Sequence, residues 1–248
     1  MLNENIRVEE QGFNQRDVIA YRFSKIFDEQ FTNEVLNEYS NGEWSSRLAS
    51  DSEDKKHTDL FIKNKNRLYR CDCKARCDDF YLGNSKISEP FVLSIGEYAL
   101  HSNMTDCISF FGPDGNLYIC SLSEIRDNVK PCAVRDSKGF NGHKQTLYIY
   151  KVYDLINIPS TIRIEVPDDV KGFYNNSYEI YNKYRNEFFR MKSLNRYDML
   201  PGIVERFENE LRDVIHNYRN YSIWKDEVVD TSSNIDDNLN EVYNLLGV

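Results

Sequence analysis

The residues with the most chemical potential in this chain lie between His57 and Lys74: Asp59, then Asp72 and Lys74, with Cys73 between the last two. The stretch reads as a β-hairpin. Leu60, Phe61 and Ile62 form a short apolar strand, Asn64, Lys65 and Asn66 supply turn residues, and residues 68–74 alternate as a second strand. Side chains alternate across a strand, so Asp72 and Lys74 share one face while Cys71 and Cys73 take the other. With a two-residue turn at Lys65 and Asn66 the paired positions sum to 131, which sets Asp59 directly across from Asp72. A slip of one residue would part them.

Like charges facing each other destabilise a sheet, and two carboxylates at that range require a shared proton or a cation. Oxygen ligands alone, with positions left for water or phosphate, favour Mg²⁺ or Mn²⁺ over zinc. A cation held this way activates water and neutralises charge on a phosphoryl group. An adjacent lysine orients or deprotonates that water, or stabilises developing negative charge.

The elements that must position this group are also legible. From Asn14 to about Tyr39, Ile19, Phe23, Ile26, Phe27, Phe31 and Val35 recur at helical steps. Residues 90–104 suit a strand in their first half and a helix in their second. A second hairpin is expected from strands at 107–111 and 117–122 around the turn sequence Gly112 to Asn116. Residues 123–127 read as a capped helix start. A loop bearing Lys130, Arg135, Lys138 and Lys144, with Gly139 and Gly142, leads to a strand near 146–152. Tyrosine-rich helices are expected at about 174–192 and 203–221, broken by Pro201 and Gly202. Residues 231–234 suggest a linker before a short amphipathic helix carrying Ile235, Leu239, Val242 and Leu246.

Asp59 on one strand followed by Asp72-Cys73-Lys74 on the next resembles the PD-(D/E)XK nuclease superfamily, which includes restriction endonucleases and Holliday-junction resolvases. The arrangement matches over roughly residues 15–155, the specific residues only in the motif. The resemblance implies an α/β fold with a mixed central sheet flanked by helices, a restriction-endonuclease-like core over 1–165 and a helical C-terminal region over 166–248. It implies a Mg²⁺- or Mn²⁺-dependent endonuclease acting on DNA. Asp59, Asp72 and Lys74 would be catalytic, the two carboxylates and the Cys73 carbonyl would ligate the metal, and Lys74 would handle the attacking water. Thr58 stands where the family name has proline. A further glutamate from the preceding helix is common in the family, and Glu29, Glu34 and Glu38 are all candidates. The rival reading is a catalytically inactive nuclease-like module that binds nucleic acid or a protein.

Other constellations carry less. Cys71, Cys73, Cys77 and His57 have zinc-ligand chemistry, but C-x-C on a strand departs from structural zinc spacing, and small buried thiols are the simpler reading. His57, two residues before Asp59, would share that residue's strand face. The basic loop from Lys130 to Lys144 suits a phosphate backbone or open solvent equally. The tyrosines of the late helices suit a core or a protein contact better than base stacking, because acids surround them. The terminal amphipathic helix is a docking or dimerisation candidate.

Composition narrows the class. Basic residues number 31 against 40 acidic ones, a net charge of −9, which excludes a non-specific nucleic-acid coat but leaves room for a local basic patch. A 40% hydrophobic share over 248 residues is enough for one large domain, or one with a helical appendage. No apolar run approaches membrane length and the start lacks a secretory pattern, so a cytoplasmic protein with six reduced cysteines is expected. P-loop, HExxH, EF-hand and dinucleotide fingerprints are all absent.

Overall fold

The structure is a computed structural model that describes residues 18–50, 58–74, 80–82, 85–87, 91–102, 104–138 and 144–218. Helix α1 (Val18–Phe23), a π-helical turn (Ser24–Asp28) and α2 (Glu29–Tyr39) run on as one helical stretch. Strands β1 (Trp44–Leu48), β2 (Leu60–Asn64) and β3 (Arg67–Cys73) follow, then the short β4 (Phe80–Leu82) and β5 (Ser85–Ile87), β6 (Val92–Gly96) and α3 (Glu97–His101). Next come β7 (Cys107–Phe111), β8 (Leu117–Ser121), α4 (Leu122–Asn128), β9 (Ala133–Lys138), β10 (Lys144–Lys151), α5 (Val152–Ile156) and β11 (Ile162–Ile164). The long α6 (Asp168–Ser193) and α7 (Leu200–Asn217) close the described chain. This is a mixed α/β protein with helices in its C-terminal region. Among the described residues no helix is long and apolar enough to cross a membrane.

Six strands form the main sheet in the order β1-β2-β3-β7-β8-β11. Every neighbouring pair is antiparallel except β3 and β7, which run parallel through Cys71↔Cys107, Asp72↔Ile108 and Cys73↔Ser109. A second sheet has the order β6-β10-β9. The first hairpin takes the expected register: Asn64↔Arg67 to Leu60↔Cys71, around Lys65 and Asn66. Lys65 opens this turn with a positive φ of 50°, which tightens it to two residues.

All five residues of β7 are buried, the continuous apolar run of a strand covered on both faces. On one side Phe111 meets Tyr174 at 4.2 Å and Phe31 at 5.1 Å between ring centroids. Phe27 and Phe31 stack at 5.0 Å, and both pack on Phe173, so the helical stretch is riveted to the sheet by rings. On the other side Ile108 and Phe110 join Leu93, Ile95, Tyr118, Tyr150 and Leu155 in a separate core cluster.

Strand β6 (Val92–Gly96) followed by helix α3 (Glu97–His101) matches the strand-then-helix pattern expected for residues 90–104. Other expectations need correction. Residues 133–138 are not loop: they are β9, paired with β10 from Ala133↔Ile149 to Lys138↔Lys144. Gly139 and Gly142 lie outside the described residues. Helix α4 starts at Leu122 with no side-chain cap from Ser121. Pro201 and Gly202 do not break the helices. They sit in the first turn of α7, where proline's missing amide costs no hydrogen bond. The linker at 231–234 and the helix expected after it lie outside the described residues.

The chain forms two compact units. One is residues 22–175; the other comprises the described residues 18–21 and 176–218. Within the second, Glu210 accepts from Lys183 at 2.6 Å and from the Tyr184 hydroxyl at 2.6 Å, while Arg206 donates to Glu187 at 2.8 Å. Tyr178, Tyr181 and Tyr184 are buried there, so they serve as core.

Phe31 is fully buried among Phe27, Phe111, Phe173 and Tyr174. Phe31→Ala is expected to cost about 3–5 kcal/mol in denaturant unfolding. A loss below about 1 kcal/mol would show that the ring stack does not anchor the helix.

Candidate carboxylate–lysine site

The site forms where β2 begins and β3 ends. The regular ladder stops at Leu60↔Cys71, one step short of the expected Asp59–Asp72 pair. There the Asp59 amide donates to the Cys71 carbonyl at 2.9 Å, and the Asp59 carbonyl accepts from Ala49 at 2.8 Å. The Asp59 carboxylate then takes the place a main-chain carbonyl would hold: its Oδ2 accepts from the Cys73 amide at 2.7 Å. Two strands are thus tied through one side chain, and the carboxylate is fixed at the end of β3.

Asp72 is buried, and its Oδ2 lies 2.6 Å from Lys74 Nζ. The Lys74 amide donates to the Ser109 carbonyl at 2.8 Å, so β7 holds the end of β3 in place. From the helical stretch come Glu29, which is buried, and Lys25. Lys25 Nζ lies 3.0 Å from Glu29 Oε1 and 3.7 Å from Asp59 Oδ1. Lys25 lies within the π turn and Glu29 directly follows it, its amide donating to the Ser24 carbonyl. Wide turns of this kind often accompany functional sites.

Burial pushes the Asp59 carboxyl well above its ordinary value, and the neighbouring charges of Asp72 and Glu29 push it the same way; Lys25 and Lys74 pull it back only in part. Burial alone would lower the Lys74 ammonium, but Asp72 and Asp59 outweigh it and hold the group above its ordinary value. Lys74 is therefore a stable cation here, suited to orienting water or balancing charge.

The sequence-predicted residues Asp59, Asp72, Cys73 and Lys74 come together. Of the three candidate glutamates, Glu29 bears on Asp59, while Glu38 is exposed on α2. Lys25 was not foreseen; its only sequence signal is the four-residue spacing to Glu29. Among the described residues no three His, Cys, Asp or Glu side chains stand in metal-holding geometry, and lysines meet the carboxylates instead. The donors themselves, the Asp59 and Asp72 carboxylates and the Cys73 carbonyl, are oxygen, the class a hard divalent cation takes. Cys71 and Cys73 are buried, and burial raises both thiols, as befits neutral packing groups. Ser109 Oγ donates to Cys73 Sγ at 3.3 Å. The other members of the zinc alternative, His57 and Cys77, lie outside the described residues.

Compared with protein-family models, curated proteins and solved structures, the chain shows no significant match.

A carboxyl raised on folding adds stability at low pH and loses it as pH climbs from its ordinary value near 3.8 through the raised one. Asp59→Asn keeps an acceptor for the Cys73 amide and removes that titration. Its unfolding free energy should decline less over this range than that of wild type, and exceed it at pH 7. Parallel pH profiles in chemical denaturation would contradict the burial of a strained carboxylate here.

Proposed function

We propose that this protein is a metal-dependent phosphodiester hydrolase, a DNA endonuclease of the PD-(D/E)XK type. The observation that carries the reading is the meeting of Asp59, Asp72 and Lys74 where β2 begins and β3 ends, with Glu29 added from the preceding helical stretch. The order of helix, acid-bearing hairpin and following α/β elements supports it, as does the parallel strand β7 that holds β3.

Asp59 and Asp72, with the Cys73 carbonyl, would hold Mg²⁺ or Mn²⁺. When bound, that cation supplies charge neutralisation at the phosphoryl group and a more acidic water. The chain's own groups do the positioning. The Cys73 amide fixes Asp59, and Lys25 balances Glu29 and Asp59 from the helix side. Lys74 orients the attacking water and offsets negative charge as it builds on phosphate oxygens.

A second reading is a module that binds nucleic acid or protein without turnover. The 2.6 Å Lys74–Asp72 ion pair favours it, since each group then neutralises the other.

Incubating the purified chain with plasmid and single-stranded substrates under Mg²⁺, Mn²⁺ or chelator decides between them. Cleavage that chelator stops is expected. Lys74→Ala should slow it by about 10²–10⁴-fold and Asp72→Ala should abolish it, both with the fold retained. Full activity in either variant refutes the assignment, and binding without turnover in every condition favours the second reading.

A further inference from the structure

The exposed face of the first three strands carries cations in ordered rows. The registers place Arg47 across from Phe61 and Phe61 across from Arg70, giving one row over β1, β2 and β3. The next row outward is Ser45, Lys63 and Leu68. Asp72 stands two residues beyond Arg70 on β3 and so on the same face, which makes the carboxylates the end of the strip. The opposite face is covered by α2: Ser46 Oγ donates to the Asn33 carbonyl at 3.0 Å, and Asn37 Nδ2 to the Ser46 carbonyl at 3.1 Å.

The rows themselves are open. Leu68 is 57% exposed, the Arg70 side chain keeps 38% of its surface, and Arg47 and Lys63 are exposed. Arg47, Lys63 and Arg70 stand in these rows, the last paired with Asp106, in a chain whose net charge is −9. Such a strip runs against the average of the molecule, which is how a polyanion site is marked. Asp106, outside the rows, grips Arg70 through Nε and Nη2 at 3.0 Å each and sets its plane. The Arg47 guanidinium lies 4.1 Å over the Phe61 ring. A flat cation on an aromatic ring is a surface on which an unpaired base stacks, or from which it displaces the cation, and a duplex has no free base face to offer it.

We infer that this face of β1–β3 binds a single nucleic-acid strand and leads it to the carboxylates, with phosphates on Arg47 and Lys63 and a base on the Arg47–Phe61 stack. The inference deepens the hydrolytic reading and rests on it for where the strand leads; binding itself can be measured separately.

The test is fluorescence anisotropy of the full chain with a labelled single-stranded oligonucleotide, in chelator so that nothing is cut, over a salt series. An Arg47→Glu, Lys63→Glu double variant should bind at least about tenfold more weakly, and the slope of log affinity against log salt should flatten by about 1.4 for two lost phosphate contacts. Phe61→Leu keeps apolar bulk but loses the ring, and should weaken single-strand binding by about fivefold or more with little effect on a duplex of equal length. Asp72→Asn removes a negative charge and should bind at least as tightly as wild type. Unchanged affinity in the double variant overturns the inference, as does a Phe61→Leu variant that binds single strands like wild type. If the wild-type chain binds this way yet cuts nothing with Mg²⁺ or Mn²⁺, the surface stands and the hydrolytic reading falls. If it cuts while the double variant binds normally, hydrolysis stands and the surface falls.

Discussion

Asp59 is asked to sit nearly out of water beside two other carboxylates, and much of the local structure answers that demand. A buried carboxylate without partners either takes up a proton or unfolds its surroundings. Here it accepts the Cys73 amide, and lysines approach from two directions: Lys25 from the helical stretch and Lys74 from the end of β3. None of these groups is local to Asp59 in sequence. The electrostatic problem is therefore met only when helix, β2 and β3 have all docked, which couples the charge balance to the tertiary fold.

Strand β7 makes that docking firm. Apolar side chains cover both its faces, rings from the helical stretch on one side and the second core cluster on the other. Its parallel pairing with β3 and the Lys74–Ser109 main-chain bond carry this rigidity to the last residues of β3. The polar groups at the end of β3 are thus backed by a strand buried along its whole length, the arrangement that holds reacting groups in fixed geometry.

The hairpin is legible because its signals agree: turn residues at Asn64 to Asn66, an apolar run before them and alternation after them favour the observed register. What the ladder rule did not foresee is the last step, where the Asp59 side chain replaces a main-chain acceptor and shifts the carboxylate towards Cys73. Choosing among Glu29, Glu34 and Glu38 needs the helix's rotational phase, which periodicity does not give once a π turn intervenes. Strand β9 is hidden in the sequence because Arg135, Asp136 and Lys138 mask an alternation with few apolar residues. Pro201 and Gly202 mislead because proline both starts and stops helices, and only the position of the preceding turn decides which.

The π turn at Ser24–Asp28 has a geometric corollary. Phe23, Phe27, Phe31 and Val35 are all fully buried at strict four-residue intervals. In an ordinary α-helix each such step over-rotates by about 40°, so three steps would swing Val35 about a third of the way round from Phe23. One under-wound turn takes back part of that drift, keeping a straight apolar seam against the sheet while Lys25 and Glu29 reach its edge. Helix pitch in this protein is accordingly a tuning element: it lets one rod address a greasy surface and a charged corner at once.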